Sequence, residues 1–557
     1  MEKFDNTFYE WEKKAANQAF LRQPFGDKWE EYTWQEAGQM ARKLATGLKS
    51  MGLREGAHIG LISKNCREWI IADLAIMMAG YVSVPFFANL KADQLNEVLE
   101  LGDVDALFVG KLEDWENAKK GVPADMPMIT FPHYEGNSKV NEGQQWHDFI
   151  APHEPLQDVH QPNLDDTWTI IFTSGTTGTP KGVVLTYKTL KATRAATDNS
   201  NPLNVSLTGD NRFFSYLPLN HIAERVVVEM GCLLYGGTIS FVESMDTFVS
   251  NLQSVRPTTF FSVPRLYTKF RLGILEKMPQ EKLDRLLKIP ILKGIVKRKI
   301  VAGLGLDKAR SVVSGAAVLP DSLAEFYKKI GINIFNGYGM TENCAVCTLR
   351  MPNDYRPGSV GTAQYATEIK IDPDTNEILM KNDCIMQGYY KDTEKTAETI
   401  VDGWLRTGDE GRIDENGHLF ITGRLKDTFK TAKGKFVTPV PLEVAFEASE
   451  DVEQICVTGH ALPQPVALAV LSDIGKAKSK EAIENELANL LKATNAQLPG
   501  YKKVSTAVIV KDVWSPENGL LTPTLKVKRN KVYDHYRDKL LALHEDAKEV
   551  VLSLIHI

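Results

Sequence analysis

Apolar residues recur along the first 110 positions in two alternating rhythms. Trp34, Ala37, Met40, Ala41, Leu44 and Leu48 stand at helical spacing behind Thr33-x-x-Glu36, a capping box, and Gly52 ends the run. His58 to Ile62 reads as a short buried strand. Asn65-x-x-Glu68 is expected to open a second helix that ends near Gly80, and YVSVPF (81–86) follows as a strand. A third helix through Leu95, Val98 and Leu101 leads to the strand ALFVG (106–110). This strand–helix repetition predicts an α/β domain with a largely parallel sheet. Residues 111–166, with the Pro-, His- and acid-rich stretch APHEPLQDVHQPNLDD, read as a surface connection. TWTIIF (167–172) is then a strand, and it ends in a loop dense in Gly, Thr and Ser. After Gly423 short strands, QICVTG, VALAVLS and STAVIV, alternate with a long polar helix near 480–495, which predicts a small α+β domain.

Composition narrows the class of protein. A chain of 557 residues suggests roughly three or four domain-sized units. An apolar share of 43% with 24% charged residues supplies a large core. The net charge of −6 gives no electrostatic footprint for nucleic acid. The most hydrophobic segment, Leu74 to Phe87, is interrupted by Pro85 and falls short of the roughly 20 apolar residues of a spanning helix. The opening MEKFDNTFYEWEKK has no apolar stretch and does not read as a signal peptide. Six scattered cysteines fit reduced thiols in a cytosolic protein, and the lone pair Cys344-x-x-Cys347 reads as packing rather than as a metal site. The final LSLIHI (552–557) resembles a translated adapter tail and is set apart as a non-native segment.

The strongest chemical signal is the run Thr173-Ser174-Gly175-Thr176-Thr177-Gly178-Thr179-Pro180-Lys181-Gly182. Glycines admit close backbone approach, hydroxyls and amide N–H groups bind phosphate oxygens, and Lys181 adds charge. It is not a Walker A loop, because Pro180 stands where that pattern needs Gly and Gly182 where it needs Ser or Thr. Further on come LPLNHIAER (217–225), SGAAVLP (314–320), NGYGMTE (336–342), GWLRTGD (403–409), GRLKD (423–427) and PTLKVKR (523–529).

These seven segments, in this order, resemble the motifs of the adenylate-forming superfamily of acyl-CoA synthetases, luciferases and peptide-synthetase adenylation domains, over residues 30 to 540. The resemblance implies a large N-terminal domain (1–422) of α/β subdomains plus a distorted β-barrel, and a small mobile α+β C-terminal domain (423–551). It implies ATP, Mg²⁺ and coenzyme A as reactants and cofactor. The loop 173–182, Gly315, Ala316 and Asn336-Gly337-Tyr338-Gly339-Met340 would hold the nucleotide, with Tyr338 offering an aromatic face to adenine. Thr341 would donate to the α-phosphate, and Glu342 would supply a hard oxygen ligand to Mg²⁺. Asp409 can accept ribose hydroxyls, and Arg424 resembles the family arginine at ribose and phosphate. Lys526 matches the adenylation lysine, although Leu525 replaces the usual Gly before it, and Lys528 and Arg529 stand close enough to compete for the role. Lys426 matches the hinge about which the small domain turns between two half-reactions. The segment KTAKGKFVTP (430–439) would then line a pantetheine channel, with three lysines suited to CoA phosphates. His221 lies in the motif that faces the acyl carboxylate.

LPLNH carries no carboxylate to hold an α-ammonium, which counts against an amino-acid substrate. PLNHIAER, TPTLKVKR and PQPVALAVL resemble the long-chain fatty acyl-CoA synthetase branch, so a medium- to long-chain fatty acid is the expected substrate. A fatty acyl-AMP ligase serving a carrier protein is the nearest rival, but no long insertion stands between 342 and 423. A catalytically silent relative would have lost Glu342, Asp409, Arg424 or Lys526, and all four are present. The expected location is cytoplasmic; peripheral attachment to the inner face of a membrane and a homodimer stay open.

Overall fold

The computed structural model describes residues 2–174, 179–447, 449–515, 518–522 and 526–545. Gly175, Thr176, Thr177, Gly178, Leu525 and the tail 552–557 therefore lie outside the described residues.

Two large sheets form the body of the N-terminal domain. In the first, His58–Ile62, Val82–Phe86, Val104–Val109 and Met128–Thr130 run parallel, joined by Thr167–Ser174 beside Val82–Phe86. Their burial on both faces, complete along His58–Ile62 and Val82–Phe86, is what a parallel sheet covered by helices requires. The second, nine-stranded sheet has a parallel centre: Ala19–Phe25, Thr238–Phe241, Arg212–Ser215, Thr259–Ser262, Ser311–Ser314 and Ile334–Tyr338 lie side by side, with antiparallel edges. A five-stranded antiparallel sheet follows, built on Trp404–Ile413 between Glu377–Lys381 and Leu419–Arg424. The C-terminal domain carries a three-stranded sheet, Val452–Thr458, Val466–Leu471 and Thr506–Val510, whose one face is covered by the helix Lys480–Asn495 through Ile483, Leu487 and Leu491.

Local signals explain most boundaries. Thr33 and Glu36 close the capping box reciprocally on the helix Trp34–Ser50. Gly80 ends the helix Arg67–Ala79 in the left-handed conformation that glycine adopts without strain. Asn65, by contrast, does not cap that helix; the cap position is Cys66, and the Asn65 amide donates instead to Ser215 Oγ (2.7 Å) and the Leu217 carbonyl (2.7 Å). Residues 111–166 are more than a surface connection, since Met128–Thr130 and Gln144–Gln145 extend the first sheet and Trp115 and Trp146 are fully buried. Cys344 and Cys347 are free thiols in the core. Among the described residues no helix is long and apolar enough to cross a membrane.

Candidate functional site

The ends of the parallel strands, the five-stranded sheet and the C-terminal domain face one cleft of about 3540 Å³. Ligand sites of open α/β sheets form at such strand ends. Thr173, Lys181, His221, Gly315, Ala316, Gly337, Tyr338, Gly339, Met340, Thr341, Glu342, Asp409, Arg424, Lys426 and Lys526 all line it. Asn336 does not; it is buried on Ile334–Tyr338, paired across to Ser314 and Arg350.

The phosphate-loop candidate spans a hairpin. Thr167–Ser174 and Pro180–Thr186 pair antiparallel with Thr173 opposite Lys181, so the loop joins two strands rather than a strand and a helix. Anion binding there would rest on loop N–H groups, hydroxyls and Lys181 rather than on a helix dipole. The Lys181 ammonium stands 5.4 Å from the centre of the Tyr389 ring. Enclosure by protein, then the charges of Lys395 and Lys426, lower its pKa. Three lysines thus bear on one arm of the cleft, an arrangement that a polyanion would relieve.

The NGYGMTE segment leaves Ile334–Tyr338 and turns sharply. An added Cβ at Gly339 would stand 2.5 Å from the Ala345 carbonyl carbon, so only glycine permits this return. The short 3₁₀ turn Thr341–Asn343, held by Met340 N donating to Asn343 Oδ1 (2.9 Å), presents Thr341 and Glu342 to the cleft. Tyr389 donates to Glu342 Oε1 at 2.8 Å. Burial raises the Glu342 pKa, while this hydrogen bond and Arg424 oppose the rise. Ala316, at the end of Ser311–Ser314, is held left-handed at φ 65°, strain of a kind that collects at functional sites.

Asp409 and Arg424 are cross-strand partners in the five-stranded sheet. Arg424 Nε donates to Asp409 Oδ1 (2.8 Å), and the Tyr338 hydroxyl donates to Asp409 Oδ2 (2.7 Å). Each carboxylate oxygen keeps a second lone pair, so Asp409 can still accept hydroxyl donors from a ligand.

The C-terminal domain contributes Lys526 to this group. Lys526 N donates to Thr522 Oγ1 (3.0 Å), and Thr522 N donates back to the Lys526 carbonyl (2.7 Å), which fixes the local turn. Although solvent reaches it through the cleft, the walls enclose its ammonium, and together with the nearby Arg424 charge they hold its pKa down to about 8. Lys528 and Arg529 line the same cleft. Arg529 is bound by Glu443 and the Val457 carbonyl, and Lys528 feels Lys531 and Lys91. Arg265, on the cleft-lining helix Pro264–Lys277, pairs with Glu453 of the C-terminal domain at 2.7 Å and ties the two domains in this arrangement.

His221 caps the short helix Ile222–Glu224, its Nδ1 accepting from Ala223 N (3.3 Å), which leaves Nε2–H as the donor. Burial and Lys526 lower its pKa to about 4, so it is neutral at pH 7. Behind it Glu224 accepts from Ser215 Oγ (2.9 Å) and Tyr216 N (3.0 Å), and burial raises its pKa to about 8. Arg225 is fully buried, paired with Asp73 (2.6 Å) and Glu229 (3.0 Å) and stacked near Trp168. A π-helical stretch, Arg225–Met230, follows, of the sort often found beside sites.

Tyr389 and Lys395 are cleft residues that no motif marks. Tyr389 lies on the two-residue strand Gly388–Tyr389 against Pro180–Thr186, and Lys395 on the following helix Thr393–Thr399. Their segment, GYYKDTEKT, has no chemical signature of its own.

Residues 8–390 match the family model described as AMP-binding enzyme, and residues 426–548 match the one described as AMP-binding enzyme C-terminal domain. A peroxisomal long chain acyl-CoA synthetase 6 of Arabidopsis thaliana is 30% identical, covering 93% of this chain and 82% of its own. A long-chain-fatty-acid–CoA ligase of Mycobacterium bovis is 27% identical over 96% of both chains. Among solved structures, an anthranilate CoA ligase bound to anthranoyl-AMP superposes with a TM-score of 0.79 at 22% identity, over 98% of this chain and 99% of that one.

Proposed function

The chain belongs to the AMP-binding enzyme family, and from that premise we propose that it joins a medium- to long-chain fatty acid to coenzyme A in two steps at this one cleft. In the first, a carboxylate oxygen attacks the α-phosphorus of ATP; the new O–P bond forms as the bond to pyrophosphate breaks. In the second, the CoA thiol attacks the acyl carbon, AMP leaves, and the thiol proton passes to solvent. The observation that carries the reading is the meeting of Lys526 with Asp409, Arg424 and His221 across the domain boundary. No enzyme nucleophile is needed, because the difficulty lies in stabilising charge as pyrophosphate departs.

In this reading Tyr338 carries adenine, and Asp409 with Arg424 holds the ribose. Thr173, Ser174, Gly175, Thr176, Thr177, Gly178 and Lys181 take the outer phosphates, with Lys395 and Lys426 adding charge. Thr341 donates to the α-phosphate, and Lys526 bridges it to the acid. Neutral His221 donates from Nε2 to the carboxylate. Glu342 fits Mg²⁺, which binds through one or two carboxylates together with substrate phosphates and water rather than in an all-protein cage. When bound, Mg²⁺ would neutralise charge on the phosphates. The apolar arm of the cleft, with Val226, Val227, Phe261 and Leu272, supports an aliphatic acid, and so do the names of the relatives. Glu224, the nearest acid in this motif, is bound by Ser215 and Tyr216 and is not among the cleft-lining residues, so it offers no partner for an α-ammonium. We place the large domain at 1–422 and the small one at 423–551, with Lys426 as the pivot that removes Lys526 before thioester formation.

The test is a fatty acid series from six to eighteen carbons with ATP and Mg²⁺, following pyrophosphate and AMP with and without CoA. CoA-dependent AMP release that peaks at one chain length supports the proposal. Adenylate without thioester would replace it with an acyl-AMP ligase, and inactivity with every acid would overturn the substrate class.

A further inference from the structure

Between the cleft-lining helix Pro264–Lys277 and the strand Ser311–Ser314 the chain makes a two-helix excursion, Gln280–Lys288 and Pro290–Gly303. The second of these helices buries no residue completely. Val296 and Ile300 lean on the core behind it, but residues 288–295 are exposed without a break. Within that run Ile289, Ile291, Leu292 and Ile295 are 43%, 81%, 36% and 44% exposed. Four branched aliphatic side chains held together in water mark a contact surface rather than an ordinary exterior.

The charges around them indicate what it contacts. Residues 288–299 contain five Lys or Arg and no acid, in a chain whose net charge is −6. Among the described residues none of these five cations is paired with a carboxylate. Ile291, Leu292, Ile295, Arg298 and Lys299 recur at intervals of three and four along Pro290–Gly303, so apolar and basic groups share one stripe of the helix. Long cationic side chains can keep their charges at a polar surface while neighbouring aliphatics enter an apolar layer beneath it. An anionic surface over an apolar interior, met by a helix lying flat, is the lipid–water boundary. An acidic protein groove would satisfy the charges equally, but nothing in the stripe supplies the aromatic anchors that protein contacts favour.

We propose that the helix Pro290–Gly303 docks this chain on an anionic phospholipid bilayer, with Ile291, Leu292 and Ile295 among the acyl chains and the lysines and Arg298 at the phosphates. The helix preceding the excursion lines the cleft along its length, from Arg265 and Thr268 to Leu272 and Glu276. Docking would therefore bring one wall of the cleft close to the lipid in which long-chain acids dissolve.

The experiment is flotation of the full-length chain with phosphatidylcholine vesicles, with and without phosphatidylglycerol, in the absence of substrate. It reads binding alone and stands apart from which acid is activated. The wild type should float only with the anionic vesicles and release as salt is raised. Ile291→Asp with Ile295→Asp should abolish flotation. Lys293→Gln with Lys297→Gln and Arg298→Gln should weaken it on the order of 100-fold, about fivefold for each charge. Both variants should keep the wild-type thermal midpoint, which separates lost docking from lost folding. A wild type that ignores anionic vesicles overturns the proposal, and so does binding that both variants leave intact. Self-association by sedimentation velocity, lost in the aspartate variant while vesicles are ignored, would assign the face to a second copy and overturn it as well.

Discussion

Enclosure in the cleft and the Arg424 charge hold the Lys526 pKa down to about 8, so moderately alkaline pH removes the charge that we assign to adenylation. The charged form is the active one. With a pKa of about 8, roughly 90% of the enzyme carries it at pH 7 and roughly 10% at pH 9. The second-order constant for ATP reports groups of the free enzyme, so kcat/KM for pyrophosphate release should be level near pH 7 and fall through pH 8. Above that it should approach a tenfold loss per unit. Lys526→Arg is the informative variant, because guanidinium stays charged across this range. Its absolute rate should be lower, since the planar group is placed differently, but its profile should lose the inflection near 8. ATP and the acid titrate identically in both assays, so the difference between profiles isolates residue 526. Arg424→Gln removes a cation that lowers the Lys526 pKa and should move the inflection upward. An unchanged inflection in Lys526→Arg would refute the reasoning.

Tyr389→Phe removes the hydroxyl that donates to Glu342 and should raise the Glu342 pKa further; the acid limb of the rate profile should move to higher pH and the Mg²⁺ requirement rise about tenfold. Arg225→Ala strips the buried partner from Asp73 and Glu229 and should cost about 3–5 kcal/mol, read as a lowered urea midpoint.

The sequence was most legible where chemistry and local geometry coincide. Asp409 and Arg424 lie in two strands that form a hairpin, and their pairing follows from its register. The glycine of Gly339 reports a backbone contact that any side chain would break. Legibility failed where distant parts of the chain decide. Asn65 stands where a helix cap belongs, yet its amide is engaged by Ser215 and the Leu217 carbonyl, far along the sequence. The strands in 111–166 are two or three residues long, too short to show a period, although Trp115 and Trp146 beside them are fully buried. Tyr389 and Lys395 enter the cleft only because Gly388–Tyr389 pairs with Pro180–Thr186, some two hundred residues earlier. The motif could not choose between Lys526, Lys528 and Arg529; of the three, Arg529 is engaged by Glu443 in the fold.

The central claim is that Lys526 serves adenylation from the small domain and withdraws before CoA is acylated. Lys526→Ala should abolish acid-dependent ATP–pyrophosphate exchange yet convert pre-formed acyl-adenylate and CoA to acyl-CoA at near the wild-type rate. Equal loss of both half-reactions, or exchange that survives the substitution, would contradict the account.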